Sequence, residues 1–297
     1  MPLRVLELFS GLGGWSYALG ARGQVAAAYD ISPAANEAYR FNHGREPLAR
    51  EIARVPAAAL RAHGADTWLL SPPCQPFCRM GNRQGLDDPR SQAFLHLMDV
   101  LRETPPEHLV LENVQGFLGS QAHELLVRRL EEAGLHRVEY QLCPTRFGIP
   151  NQRPRVFVLA SRRPLAPRPA PEAEPAALSE YLDPEDPGDG TDPLAPFYLA
   201  PEVLERHVHG LDLVGASDRR STCFIGGYGQ RFVSSGSFLR TSRGVRRFTP
   251  GEIARFMGLP GTFRFPETIS LEKRYKLLGN GLNLVVARWV LEQIPVE

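Results

Sequence analysis

A cysteine is the first residue of chemical interest in this sequence, because its thiolate is a strong nucleophile. Cys74 follows the apolar run Trp68-Leu69-Leu70 and the proline pair Pro72-Pro73. The run predicts a buried strand, and the prolines end it and restrict the backbone. Ligands of open α/β sheets bind at the carboxyl ends of the strands. A cysteine there is either a small buried hydrophobic residue or a nucleophile on a rigid mount, and the surrounding motifs favour the nucleophile.

Two acidic residues also come at the ends of predicted strands. Asp30 ends the run Val25–Tyr29, and Glu112 ends the run His108–Leu111. An acid at the tip of a second strand can accept hydrogen bonds from a ribose, although Asp30 could instead cap the helix that begins nearby. Glu112 is either a catalytic carboxylate or an ordinary cap or surface acid.

A glycine-rich turn precedes both acids. The strand Arg4–Phe9 leads into Ser10–Gly14, and a helix begins at Trp15. A strand, a glycine turn and a helix open many nucleotide-binding folds, because glycine lets the backbone approach a ligand closely. Together with Asp30, this turn favours a cofactor that contains adenosine.

Strands and helices alternate from the N-terminus to about residue 160. This pattern predicts an α/β fold with a doubly wound, mostly parallel, Rossmann-like sheet. We expect a short third strand over Leu48–Ile52 and a loop over 77–90. Further helices are predicted over 34–42, 55–63, 91–103 and 122–133, and further strands over 137–142 and 156–160.

The composition changes after Arg162, which suggests three parts. We predict a first domain over 1–162, a connector with a small inserted domain over 163–247, and a C-terminal return to the first domain over 248–297. The connector is rich in proline, and the stretch 211–239 is rich in glycine, serine and aromatic residues. The small domain is therefore expected to be irregular or β-rich. The final helix, Leu284–Gln293, is apolar enough to pack on the first domain.

Cysteine content and hydropathy limit the class of protein. The 297 residues include four cysteines, so we expect reduced thiols and a cytoplasmic setting rather than a disulfide scaffold. No apolar run reaches the roughly 20 residues that span a membrane, and the N-terminus does not read as a signal peptide. No metal-ligand spacing is present. No obligate protein partner is evident.

The net charge of +1 gives no global reason to expect nucleic acid, but the arginines are clustered. The cluster consists of Arg219, Arg220, Arg231, Arg240, Arg243, Arg246, Arg247 and Arg255. The acids in the same stretch are Asp218 and Glu252. We therefore predict a surface that contacts phosphates.

Five short motifs then carry a resemblance. They are Phe9-Ser10-Gly11-Leu12-Gly13-Gly14, Pro72-Pro73-Cys74-Gln75, Glu112-Asn113-Val114, Asn151-Gln152-Arg153-Pro154-Arg155 and Gly279-Asn280-Gly281-Leu282. In this order they resemble the cytosine-5 methyltransferases over nearly the whole chain. The resemblance implies a catalytic domain that binds S-adenosylmethionine (product S-adenosylhomocysteine) and an inserted target-recognition domain.

Within that family the sequence looks most like the DNA methyltransferase-2 branch, which methylates tRNA-aspartate. Cys223-Phe224 resembles the Cys-Phe-Thr signature of that branch, with Ile225 in the place of threonine. The short region between Arg162 and Arg247 leaves little room for a large DNA-reading domain. The expected substrate is thus a cytosine in tRNA, in the anticodon loop, from which a base is easily extruded. The alternatives are a DNA methyltransferase and a nucleic-acid-binding protein that has lost catalysis.

The resemblance also implies roles for single residues. Cys74 would add to C6 of cytosine, Glu112 would bind N3 and the amino group, and Arg153 and Arg155 would line or order the pocket. The implied cofactor residues are Leu12, Gly13, Gly14, Asp30 at the ribose, Ile31 on the adenine, Ile52, Ser71 and Asn280. The expected RNA-binding residues are Arg219, Arg220, Cys223, Phe224, Arg243 and Arg246. Phe224, Tyr228 and Phe232 could stack on bases or form the core of the small domain.

Overall fold

The computed structural model describes residues 2–73, 91–185, 192–207 and 209–295. Cys74 and the predicted loop 77–90 therefore lie outside the described residues. The chain divides into two compact units. The first comprises Met1–Leu142, Pro154–Pro169 and Val286–Glu297, and the second comprises Cys143–Arg153 and Ala170–Val285.

Six strands form the sheet of the first unit, within the described ranges, in the order β2-β1-β3-β4-β6-β5. They are β1 (Leu3–Leu8), β2 (Gly23–Tyr29), β3 (Thr67–Leu70), β4 (His108–Val114), β5 (His136–Leu142) and β6 (Arg155–Ser161). Strand β6 runs antiparallel to β4 and β5, and the other pairs are parallel. This arrangement confirms the predicted mostly parallel α/β fold.

Helices pack on this sheet through apolar residues at helical spacing. They are α1 (Gly14–Leu19), α2 (Pro33–His43), α3 (Ala57–Ala62), α4 (Gln92–Glu103) and α5 (Gln121–Glu132). Phe94, Leu97 and Leu101 of α4 are buried in one core cluster with Leu70 of β3 and Leu109 of β4. Strands β3 and β4 are therefore apolar over most of their length, as expected for parallel strands covered on both faces. No helix of the described residues is long and apolar enough to cross a membrane.

The predicted strand over Leu48–Ile52 is wrong. Leu48 makes a single isolated bridge to Tyr29, and a 3₁₀ turn begins at Ile52. Arg50 N donates to Leu48 O at 2.8 Å, so the chain turns locally instead of extending the pairing with β2. The segment therefore crosses the end of β2 without joining the sheet.

The second unit contains a three-stranded sheet in the described part of the chain. Its elements are α6 (Pro201–His207), β7 (Asp212–Val214), β8 (Ser237–Thr241), β9 (Gly244–Arg247), α7 (Pro250–Phe256) and α8 (Leu271–Gly279). Thr249 caps α7, and its hydroxyl accepts from the backbone of Glu252, whose side chain accepts from Thr249 in return. This capping box and Pro250 at the first helical position match the predicted start of the helix. Helix α8 was not predicted.

The observed units differ from the predicted boundaries at three places. Residues 143–153 and 248–285 group with the second unit, and residues 163–169 group with the first. The first of these segments is bound there because Gln152 N donates to Ser221 O at 2.8 Å, and the side chain of Asn151 donates to the Ser221 hydroxyl. Helix α9 (Leu284–Leu291) leads back into the first unit, where Trp289 contacts Tyr140 edge-on.

Candidate active site

The glycine turn after β1 has a shape that few other residues could adopt. Gly11 and Gly13 have φ angles of +53° and +79°. A Cβ atom on Gly13 would lie 2.2 Å from His43 Nε2, whereas one on Gly11 would meet nothing within 4 Å. The side chain of His43 therefore packs closely against the backbone at Gly13, whereas the space beside Gly11 is open. That combination suits a turn that receives a ligand.

Asp30 fixes this turn to the end of β2. Its Oδ2 accepts from Gly11 N at 2.9 Å, and its Oδ1 accepts from Ser32 N at 2.8 Å. Ser32, rather than Asp30, caps helix α2. Each carboxylate oxygen retains a lone pair for a ribose hydroxyl. The neighbouring Ile31 is 67% exposed, which is unusual for an apolar side chain and suits contact with an adenine.

The other predicted cofactor residues differ in burial and in the unit to which they belong. Leu12 is buried, and its carbonyl oxygen lies 3.3 Å from His43 Nε2. Ile52 is only 3% exposed and belongs to the apolar core, and its predicted place beside the cofactor stays a prediction. Asn280 is exposed at the end of α8 in the second unit.

The segment that leads to Cys74 is described as far as Pro73, and Cys74 itself lies outside. Ser71 N donates to the carbonyl of Leu8, at the end of β1. The indole Nε1 of Trp15 donates to Ser71 Oγ at 3.0 Å. The start of the segment is thus attached to both the first strand and the first helix.

Asn113 provides a further attachment from β4. Its side-chain Nδ2 donates to Pro72 O at 3.2 Å, and its Oδ1 accepts from Val114 N at 2.8 Å. The Asn113 side chain is buried, so both of its polar atoms have partners where water cannot supply them. This residue therefore holds the backbone two positions before Cys74.

Glu112 and Arg155 form an ion pair at the same edge of the sheet. Arg155 Nε lies 3.1 Å from Glu112 Oε1, with side-chain exposures of 17% and 11%. Arg155 Nη1 also donates to Pro154 O. Arg155 thus orients the Glu112 carboxylate through Oε1.

Arg153 is not part of the Glu112–Arg155 ion pair. It is almost fully buried in the second unit, and it donates to Cys223 Sγ and Phe224 O at 3.3 Å each. It also donates to the carbonyl oxygens of Gly279 and Gly281. Arg153 therefore links residues 223–224 to the turn after α8, and direct contact with a base stays a prediction.

Three of the predicted RNA-binding arginines are paired with acids, and two of these acids lie outside the stretch in which the arginines cluster. Arg246 is fully buried against Glu252, with both side chains 0% exposed, so its predicted place on a surface is wrong. Arg220 pairs with Asp212 and Arg243 with Asp192. The predicted patch is consequently less positive than its sequence suggests. Arg219 is exposed and donates to Pro175 O.

The aromatic residues near Cys223 form a core. Phe224 and Tyr228 are buried, and their rings pack edge-on at 5.0 Å between centroids. Phe224 also packs against Phe248 and Phe256. The predicted stacking of Phe224 or Tyr228 on RNA bases is therefore wrong, because their faces are already covered. Phe232 is half-buried beneath the guanidinium of Arg247.

Comparison with known proteins places this site in a family. The sequence matches the family described as C-5 cytosine-specific DNA methylase over residues 3–186 and 215–295. The protein belongs to the cytosine-5 methyltransferases. It is 34% identical to a tRNA (cytosine(38)-C(5))-methyltransferase of Schizosaccharomyces pombe, covering 97% of this chain and 96% of that one. A human protein of the same name is 32% identical, covering 97% and 98%.

Solved structures show the same relationship for this cytosine-5 methyltransferase. The crystal structure of the Dnmt2 methyltransferase of S. pombe is 33% identical, covers 97% of each chain, and has a TM-score of 0.86. The fold and the family predicted from the motifs are thereby confirmed.

One residue of this methyltransferase was missed in the sequence although it lies directly below the glycine turn. Glu7 is fully buried in β1, and Tyr39 of α2 donates to it. Burial raises the pKa of the Glu7 carboxyl to about 7. The signal that could have found it is an acid between two leucines, Leu6 and Leu8, near the end of a strand.

Proposed function

We propose that this chain methylates C5 of a cytosine in tRNA, with S-adenosylmethionine as methyl donor and tRNA-aspartate, at its anticodon loop, as substrate. The single observation that carries the proposal is the Glu112–Arg155 ion pair beside the anchored segment that precedes Cys74. The names of the two relatives support the choice of tRNA, because each alignment covers 97% of this chain.

The chemistry begins with the thiolate of Cys74. Its sulfur forms a bond to C6 of the cytosine, and the C5–C6 π electrons become available for bond formation at C5. S-adenosylmethionine supplies an electrophilic methyl group on a positively charged sulfur. After transfer of the methyl group to C5, S-adenosylhomocysteine would remain, the C5 proton would pass to solvent, and the electrons of the C5–H bond would re-form the C5–C6 double bond and expel the Cys74 thiolate.

Glu112 assists the attack from the opposite side of the base. Its carboxyl group would accept from the exocyclic amino group and share a proton with N3, which draws electron density away from C6. Arg155 orients the carboxylate through its contact at 3.1 Å and compensates its charge. Both side chains are therefore positioned before the substrate arrives.

The methyl donor fits the edge of the sheet formed by the glycine turn and the end of β2. The open space at Gly11 and the exposed Ile31 support binding of an adenosine group there. Asp30, whose oxygens retain lone pairs, would accept from the ribose hydroxyls.

The substrate is tested by competition. Purified full-length protein with radiolabelled S-adenosylmethionine should label total tRNA far faster than genomic DNA of equal cytosine content. Bisulfite sequencing of the labelled tRNA should then place the methyl group in the anticodon loop of tRNA-aspartate. Faster labelling of DNA would favour a DNA methyltransferase instead.

The nucleophile needs a separate control. Cys74→Ala should abolish methyl transfer, whereas binding of S-adenosylhomocysteine should persist, since the glycine turn is unchanged. Turnover by Cys74→Ala would remove Cys74 from the mechanism. If the wild-type protein binds tRNA but labels neither nucleic acid, a binding protein without catalysis is the better description.

A further inference from the structure

A buried carboxylate lies beneath the glycine turn and has no part in the reaction described above. Glu7 is 0% exposed and stands near the end of β1, four residues before Gly11. Its neighbours in the sheet are Ala28 on β2 and Leu69 on β3, which offer no polar side chain. A carboxyl group in such a place needs all its hydrogen bonds from the helices above it.

Those hydrogen bonds come from two helices. Glu7 Oε1 accepts from the backbone amides of Trp15 and Ser16 at 3.0 and 3.2 Å. Oε2 accepts from the Ser16 hydroxyl and, at 3.0 Å, from the Tyr39 hydroxyl. Glu7 thus binds the first turn of α1 to the strand below and to α2 beside it.

We propose that Glu7 is a positioning residue for the methyl donor: its ionised carboxylate holds the start of α1, and with it the turn from Gly11 to Gly14, in the shape that binds the cofactor. This inference rests on the cofactor site proposed above. Its consequence is that cofactor affinity follows the ionisation of a group that does not itself touch the cofactor.

The hydrogen-bond geometry allows Glu7 to be either ionised or neutral, but the two forms do not hold α1 equally strongly. Backbone amides only donate, so Oε1 must stay an acceptor, and a proton on Glu7 belongs on Oε2. The hydroxyls of Ser16 and Tyr39 lie 2.6 Å apart and can each reverse to accept that proton. The neutral acid is a weaker acceptor than the carboxylate, so protonation loosens the hold on Trp15 and Ser16.

The charges near Glu7 leave it as the group that titrates near neutral pH. Burial raises its pKa to about 7, against the opposing effect of the hydrogen bonds from Ser16 and Tyr39. On α2, burial also raises the pKa of Tyr39, so this phenol stays neutral. Burial lowers the pKa of His43, which packs on both Tyr39 and Tyr17.

Two further side chains, Arg45 and Asp30, complete the surroundings. Arg45, which follows α2, interacts with both Tyr39 and His43. Asp30, at the end of β2, accepts from Gly11 on the far side of the turn. Burial of Tyr17 raises its pKa, so α1 brings no charge to the cluster near neutral pH. A change of binding between pH 6 and 8 therefore reports on Glu7.

The sign of the effect differs for folding and for binding. Because burial raises the pKa of Glu7 in the folded chain above its ordinary value of 4.5, its contribution to stability is present at low pH and is lost as pH rises through about 7. Cofactor affinity should change in the opposite direction, since the carboxylate holds the turn more firmly. Binding of the cofactor near pH 6.5 should accordingly release protons from Glu7.

The test measures binding of S-adenosylhomocysteine to the full-length protein by titration calorimetry between pH 6 and 8.5. Wild-type affinity should rise with pH by up to about tenfold over this range, and the proton release should be visible in buffers of different ionisation enthalpy. In Glu7→Gln the amide oxygen can replace Oε1 and the amide group can donate to the hydroxyls, so the affinity should be independent of this titration. The exposed acid Glu103 provides the control Glu103→Gln, which should behave as wild type.

A second variant allows the inference to be tested even if Glu7→Gln does not fold. Tyr39→Phe removes one donor to Oε2 and should shift the midpoint of the affinity change to higher pH. Identical pH profiles for wild type, Glu7→Gln and Tyr39→Phe would overturn the role of Glu7 while leaving the proposed function intact. Absence of binding at every pH would overturn the proposed cofactor site and this inference together.

Discussion

Arg155 and Glu112 meet diagonally across two antiparallel strands, with Arg155 Nε 3.1 Å from Glu112 Oε1. In the register of β4 and β6, Arg155 stands opposite Val114 and Glu112 stands opposite Phe157. The contact therefore depends on β6 running against the other strands. A parallel strand at this position would place its first residue at the other end of β4.

This contact predicts that lysine cannot replace Arg155. Lys lacks the planar guanidinium whose Nε faces Glu112, so Arg155→Lys should reduce the rate of methyl transfer by about tenfold to a hundredfold. Single-turnover methylation of tRNA measures the effect. Arg162→Lys, which alters an ion pair with Glu107 at the opposite end of β4, is the matched control and should retain the wild-type rate. Equal rates in the two variants would contradict the role of Arg155.

Asn113 should matter for both stability and catalysis. Asn113→Ala leaves the carbonyl of Pro72 and the amide of Val114 without their buried partner. The free energy of unfolding should fall by about 1–3 kcal/mol, as measured by urea denaturation. Methyl transfer should fall further than the loss of folded protein explains, because the segment that leads to Cys74 loses its attachment. Wild-type turnover by the folded fraction would show that this attachment is dispensable.

The buried pair Arg246–Glu252 should contribute to the stability of the second unit. Arg246→Met leaves Glu252 buried without its cation, at a cost of about 3–5 kcal/mol in chemical denaturation. Arg243→Met removes an arginine whose ion pair is exposed, and it should change stability far less. A similar loss in both variants would mean that burial does not distinguish the two pairs.

The arginines that have no carboxylate partner should dominate binding of RNA. Arg231 and Arg240 are exposed, and neither is paired with an acid of the described residues. Changing either to Gln should weaken binding of tRNA. The slope of log affinity against log salt concentration should fall by an amount equivalent to about one phosphate contact. Fluorescence anisotropy at several salt concentrations measures both effects. Arg220→Gln, in which Asp212 loses its partner, should reduce the salt dependence less. The opposite ranking would place the RNA surface elsewhere.

Much of the first unit follows from local sequence. Runs of three to six residues, most of them rich in apolar side chains, predicted the strands of its sheet, and helical spacing predicted α4 and α5, since these patterns depend on neighbours within a few residues. The exception is Leu48–Ile52, where an apolar residue packs against the end of β2 without the further pairing that makes a strand. The local sequence pattern does not show how many hydrogen bonds a segment makes with a strand that is distant in the chain.

Residue types and their order also determined the family, and they predict Cys74 and Glu112 as the reactive groups. The tertiary structure decided which charges and rings remain available. Arg246 and Phe224 became core residues, and Arg220 and Arg243 met acids from other segments. The buried Glu7 acquired its donors from α1 and α2. These outcomes depend on contacts between segments far apart in the chain, because the burial and ionisation of a side chain are set by everything that packs around it.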